Sequence, residues 1–133
     1  MNFNEEKDYI MRIIKEMAGV LFSLMLGKQY VAVEMDNENK YDVSGKALED
    51  FEKMVDEGFI NEAENLLLDS MDDTRKEDVL AAILFYQYIS EKDHDFLAAH
   101  NYSKEEALEG IKRLAEKQGY GQINALLMDQ SFE

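Results

Sequence analysis

Apolar residues recur along this chain at helical spacing, and over residues 4–28 they recur on more than one face. At about 100° per residue, Ile10, Ile14, Met17, Leu21 and Leu24 fall on one stripe. Ile13, Ala18, Val20, Phe22 and Met25 widen it until little beyond Arg12, Lys15, Glu16, Gly19 and Ser23 is left for water. An arc this wide predicts burial on more than one side, so this helix is either the central helix of the fold or part of an oligomer interface. Asn4 is placed to cap it, with Glu5 and Glu6 in the first turn, where the helix dipole favours acids.

Residues 29–35 fit either a continuation of that helix or an extended connection, and residues 36–43 form a loop with no apolar pattern. The spacing then predicts a helix over 46–57, capped by Ser44 or Asp42, with Ala47, Leu48, Phe51, Met54 and Val55 inward. Gly58 is its natural left-handed terminator. A helix over 61–71 follows, with Ala63, Leu66, Leu67 and Ser70 inward. Thr74 and Glu77 have the spacing of a capping box for a helix over 75–90. The run AAILFYQYI within it would also fit a strand, and the capping box with Ala81 and Ala82 decides for helix. Residues 93–100 read as a short helix or turn. Ser103 and Glu106 form a second capping box, opening a helix over 104–118 that ends at Gly119. A last helix is expected over 121–130, with Ile123, Leu126 and Leu127 inward.

The result is an all-α chain of about six helices, organised as a helical-hairpin bundle in one domain over residues 1–133. Two antiparallel hairpins stand out, one through Gly58 and one through Gly119. The first, FEKMVDEGFINEAENLL, is similar to a tetratricopeptide hairpin, although no period of about 34 residues recurs. The chain contains no proline, as short-looped helices require, and its 46% hydrophobic content is enough for a packed core. It has no cysteine, which excludes disulfides, thiolate metal sites and cysteine nucleophiles and suits a cytoplasmic location.

Charge changes the picture further. The net charge is −15, and residues 36–73 hold thirteen acids against Lys40, Lys46 and Lys53. Such a surface is repelled by nucleic-acid phosphates and anionic membranes, so neither is expected as a partner. The acidic segment is either a solvated face or a surface for a basic protein. The most apolar run, residues 17–26, is far shorter than the roughly 20 residues that span a bilayer. Acids rather than bases precede it, so it does not look like a targeting signal.

Candidate chemistry is sparse. Asp36, Glu38, Lys40 and Asp42 alternate as a calcium loop does, but Tyr41 and Ala47 stand where that loop needs glycine and glutamate. His94 and His100, with Asp93 and Asp95, invite a metal-dependent hydrolase reading, yet their spacing does not put them on one helix face. Thr74 and Ser103 are explained as caps, and Ser23 sits in an apolar helix where a hydroxyl bonds to the preceding turn. Phe85, Tyr86 and Tyr88 read as core rather than as a ligand cleft. No phosphate-binding loop is present, and nothing implies a cofactor, a metal or a catalytic residue. The most informative feature is Gly19, Ser23 and Gly27, small residues at every fourth position that let a second helix approach closely. With Ala18, Phe22 and Leu26 they form a candidate interface, either for another helix of the same chain or for a second copy.

From Asp8 to Ile14 the chain reads D-Y-I-x-R-x-I, and its apolar run ends in Gly27 and Lys28. In these features, and in the Y-S-x-E-E pattern of Tyr102 to Glu106, it resembles an uncharacterised family of short bacterial proteins. The resemblance spans most of the chain and implies a bacterial, all-helical domain with no assigned activity. The expected function is therefore a non-enzymatic helical interaction module, self-associating as a homodimer through its first helix or meeting a basic protein through the acidic hairpin. The alternatives are a small hydrolase using His94 and His100, and an acidic decoy that mimics nucleic acid.

Overall fold

Helical periodicity becomes six α-helices among the described residues. The structure, a computed structural model, describes residues 3–27 and 41–123. In chain order it contains α1 (Phe3–Leu26), β1 (Asp42–Val43), β2 (Lys46–Ala47), α2 (Leu48–Asp56), α3 (Ile60–Ser70), α4 (Lys76–Ser90), α5 (His94–Ala99) and α6 (Lys104–Lys117). Three expectations lie outside the described residues: the state of 29–35, the calcium-like positions Asp36, Glu38 and Lys40, and the last helix beyond Ile123 with Leu126 and Leu127.

The wide apolar arc of α1 is covered from two sides, by α4 and by α6. Ile14, Met17, Ala18 and Leu21 are at most 1% exposed. The helix buried all round is nevertheless α4, which packs on α1, α6, α2 and β1. α3 packs chiefly on α2. The positive φ at Gly58, +95°, turns α2 into α3, and that at Gly119, +87°, ends the last turn of α6, both as expected.

Five readings are corrected, the first being Ala47, which is exposed in β2 rather than inward on a helix. Ser44 and Asp42 do not cap α2. Ser44 and Gly45 both have positive φ and form the turn of a two-residue β-hairpin, pairing Asp42 with Ala47 and Val43 with Lys46. Thr74 does not cap α4. Its N–H and hydroxyl both donate to Asp72 Oδ1, at 2.9 and 2.6 Å, so the helix starts beyond it with Arg75 as an N-cap lacking a side-chain bond. Leu24 is 47% exposed, because in the last turns of α1 burial passes to Phe22 and Met25, with Phe22 edge-on to Tyr41. Leu66 is 41% exposed, because peripheral α3 buries only the narrow stripe of Ile60, Ala63 and Leu67.

The first turn of α4 is held by Asp78, whose side chain is fully buried. Its carboxylate accepts from Ser44 N–H at 3.0 Å, Ser44 Oγ at 2.7 Å and Asp72 N–H at 2.8 Å. Burial pushes this carboxyl up, but the hydrogen bonds from Asp72 and Ser44, with Arg75 nearby, outweigh it and hold the group below the usual aspartate range. One buried anion therefore clamps the β-hairpin turn and the α3–α4 connection to α4.

Ser103 does cap α6, its Oγ accepting from Glu106 N–H at 3.1 Å. Ser103→Ala is therefore expected to cost about 1 kcal/mol. Thr74→Ala, which loses only the exposed hydroxyl bond to Asp72, should stay within about 0.5 kcal/mol. Denaturant midpoints of the two variants check this, and equal losses would contradict the assignment.

Candidate functional site

A tyrosine on a helix with no wet side must find a partner for its hydroxyl. Tyr86, in the middle of α4 and 1% exposed, donates to Glu64 Oε2 of α3 at 2.6 Å. Gly110 of α6 makes the space, since a Cβ there would stand 2.3 Å from the Tyr86 ring. Tyr102, just before α6, is 4% exposed, and its hydroxyl is buried with no hydrogen bond of good geometry. Burial first, and the Glu64 charge with it, pushes both tyrosines far above their ordinary pKa, which Arg113 opposes only in part at Tyr86. Both hydroxyls stay protonated at neutral pH. The Tyr86 hydroxyl ties α4 to α3, and the Tyr86 ring packs against Gly110 of α6. Asn61 of α3 adds a second tie, donating from Nδ2 to Asn101 O at 3.1 Å.

Toward the C-terminal ends of α3 and α6 the two helices part around an open cleft of about 420 Å³. Leu68, Met71 and Leu114 form its apolar lining, and Asp72, Asp73 and Lys117 its charged rim. Gln118 Nε2 donates to Asp73 O at 2.9 Å and joins the two sides. The opposite flank of α3 carries Phe59, 51% exposed, and Leu66, two helical turns on.

A third polar cluster links α2 to the end of α4. Tyr88 donates to Asp56 Oδ1 at 2.6 Å, and Lys92 pairs with Asp56 while lying 4.8 Å from the Tyr88 ring centre. The Lys92 contact first, and Tyr88 after it, holds Asp56 below its usual range. Glu52, one turn earlier on α2, has the opposite fate. Burial first, then Asp56 and Glu49, pushes its carboxyl up to about 7. Lys92 opposes that shift and Glu91 adds to it, while Glu91 is itself paired with Lys15 of α1 at 3.7 Å.

The residues singled out in the sequence are dispersed. His94 opens α5 and His100 follows its end. The His100 Nδ1–H donates to Phe96 O at 2.8 Å, and its ring lies where a Cβ on Gly58 would stand, 2.5 Å away. His100 thus packs the α5 end onto the α2–α3 turn. Among the described residues, no three of His, Asp and Glu gather as a metal site would require. Of the candidate interface, Ala18, Gly19 and Phe22 are buried inside the chain, Ser23 is half-buried, and Leu26 and Gly27 are exposed. The Ser23 hydroxyl is buried without the expected bond to the preceding turn. Sequence reasoning passed over Glu64, Gly110 and Arg113, and met Tyr102 only within the Y-S-x-E-E pattern. The available signal was Gly110, a glycine inside a helical pattern that marks a close approach.

Two variants test this geometry. Gly110→Ala should lower stability by about 1–3 kcal/mol through overpacking against Tyr86. Glu52 binds its proton more tightly folded than unfolded, because its carboxyl sits at about 7 rather than the ordinary 4.5. Its contribution is therefore full below the ordinary value and is lost as pH rises through about 7. Glu52→Gln should then gain on the unmodified protein between mildly acidic and mildly alkaline pH. Melting curves showing the same difference at both pH values would contradict the burial of Glu52 among carboxylates.

No helix among the described residues is long and apolar enough to cross a membrane. No curated protein and no solved structure matches the chain. A family model does match, over residues 4–119, and the family has no known function, as the resemblance at Asp8 to Ile14 and Tyr102 to Glu106 implied. The chain belongs to the family of unknown function DUF6483.

Proposed function

We propose that the protein is a non-enzymatic helical interaction module that self-associates through the exposed end of its first helix. The carrying observation is where large apolar side chains meet water. Among the described residues these are Leu24 and Leu26 at the end of α1, and Phe59, Leu66 and Leu68 on or just before α3. A lone exposed leucine is ordinary, whereas a concentration on two elements marks contact surfaces. On the inner side of α3 Glu64 accepts from Tyr86, and both buried tyrosines are kept neutral.

Self-association is assigned to α1 on electrostatic grounds. Residues 1–35 carry five acids and four bases, so two copies meet there without the repulsion that the acidic hairpin would impose. Ala18 and Phe22 already face the chain's own core, which leaves the contact to Leu24, Leu26 and Gly27, with Ser23 at its edge. A two-fold contact uses the same patch on both copies, and a short apolar helix end suits that symmetry.

Sedimentation at micromolar concentration is expected to give twice the chain mass of 15.4 kDa. Leu24→Asp with Leu26→Asp should return the protein to a monomer with an unchanged circular dichroism spectrum. An unmodified protein that sediments as a monomer throughout that range would remove self-association from the proposal.

A further inference from the structure

We infer that the outer flank of α3 is a docking surface for a basic amphipathic helix of another protein. This rests on the interaction-module reading and names a partner class for a second face, away from the α1 end. Phe59 and Leu66 stand on one flank of α3, seven residues and so about 10 Å apart along the axis. That is the spacing at which a partner helix presents apolar residues at i, i+3 or i+4, and i+7.

The rim is acidic. Glu57, Glu62 and Asp69 are exposed on or beside α3, and among the described residues none of them forms an ion pair. Over residues 48–73 there are ten acids and one base, Lys53. Charge complementarity thus selects the occupant. A second copy docked on this same face would set Glu57, Glu62 and Asp69 against the same acids of its mate. Phosphate backbones and anionic lipid surfaces are repelled for the same reason. A helix with a leucine stripe flanked by lysine or arginine meets both features at once, burying Phe59 and Leu66 and pairing with the acids around them.

The flank is also held in advance of binding. Ile60, Ala63 and Leu67 are fully buried on the inner side of α3, and Glu64 and Asn61 are tied to Tyr86 and Asn101. A pre-set surface lowers the ordering cost of association, and its charge speeds encounter and makes it sensitive to salt.

Three labelled, stapled helical peptides of equal length test the inference by fluorescence anisotropy on the full chain. The first has a leucine stripe with a lysine face, the second the same stripe with a glutamate face, and the third the first composition scrambled so that no stripe forms. The first is expected to bind, and the other two at least ten-fold more weakly. Phe59→Ser with Leu66→Ser should weaken the first peptide at least ten-fold, and Glu62→Gln with Asp69→Asn should flatten its salt dependence. Equal binding of the scrambled basic peptide would reduce the surface to bare charge and overturn the inference, as would equal binding of the glutamate-faced peptide. A dimer that Phe59→Ser with Leu66→Ser dissociates would assign the flank to a second copy and overturn it too. The peptide comparison on the unmodified protein keeps the test decisive even if a variant misfolds. No peptide binding alongside an intact α1 dimer overturns this inference alone, and a monomer that binds the first peptide overturns self-association alone.

Discussion

Eleven of the fifteen residues of α4 are buried, and they lie on every side of the helix. Such a helix has no stable place until each side is covered, so the arrangement of the other elements follows from it. α1 and α6 cover two sides and pack on each other, α2 covers part of a third, and the β-hairpin closes the end near Asp78. The cost of such burial falls on the polar atoms that α4 carries inward. Asp78 is satisfied by two N–H groups and a hydroxyl, Ser90 by Gln87 O at 2.7 Å, and Tyr86 by Glu64. Four of these five bonds reach out beyond α4. Burying α4 therefore also fixes where the hairpin turn and α3 sit.

What could be read in the sequence was chemistry complete within a few residues. The Ser103 cap and the stops at Gly58 and Gly119 depend on one residue and its immediate neighbours, and they appear where expected. The Thr74 box fits the same pattern and fails because Asp72, two residues earlier, takes both of its donors. Periodicity reports which positions are apolar but not which helix face has a neighbour, and Leu24 and Leu66 show the difference. Two-residue strands have no periodicity, so the hairpin was hidden, although Ser44 and Gly45 are suited to its turn. The Glu64 cluster was less visible still. In the chain Glu64 is one acid among many, and its partners are 22 residues or more away.

The acids divide by what they face. Asp78, Asp56 and Glu64 are turned toward donors and act as ties between elements. Glu52 is half-buried, and its pKa is raised by that burial first and by the neighbouring carboxylates of Asp56 and Glu49 after it. Exposed ion pairs such as Arg75 with Glu77 add little against the net acidity.

Repulsion of this kind also decides which surfaces are open to which partners. α3 lies at the periphery, fastened along one stripe and by the Glu64 and Asn61 ties, so its outer flank is firm although little covers it. On that flank an apolar pair sits among exposed acids that form no ion pair among the described residues, which makes it hostile to a copy of itself and to any polyanion. The end of α1 has the reverse character, apolar and close to neutral. The two proposed contacts, a copy of the chain at one face and a basic helix at the other, would therefore not compete for the same side chains.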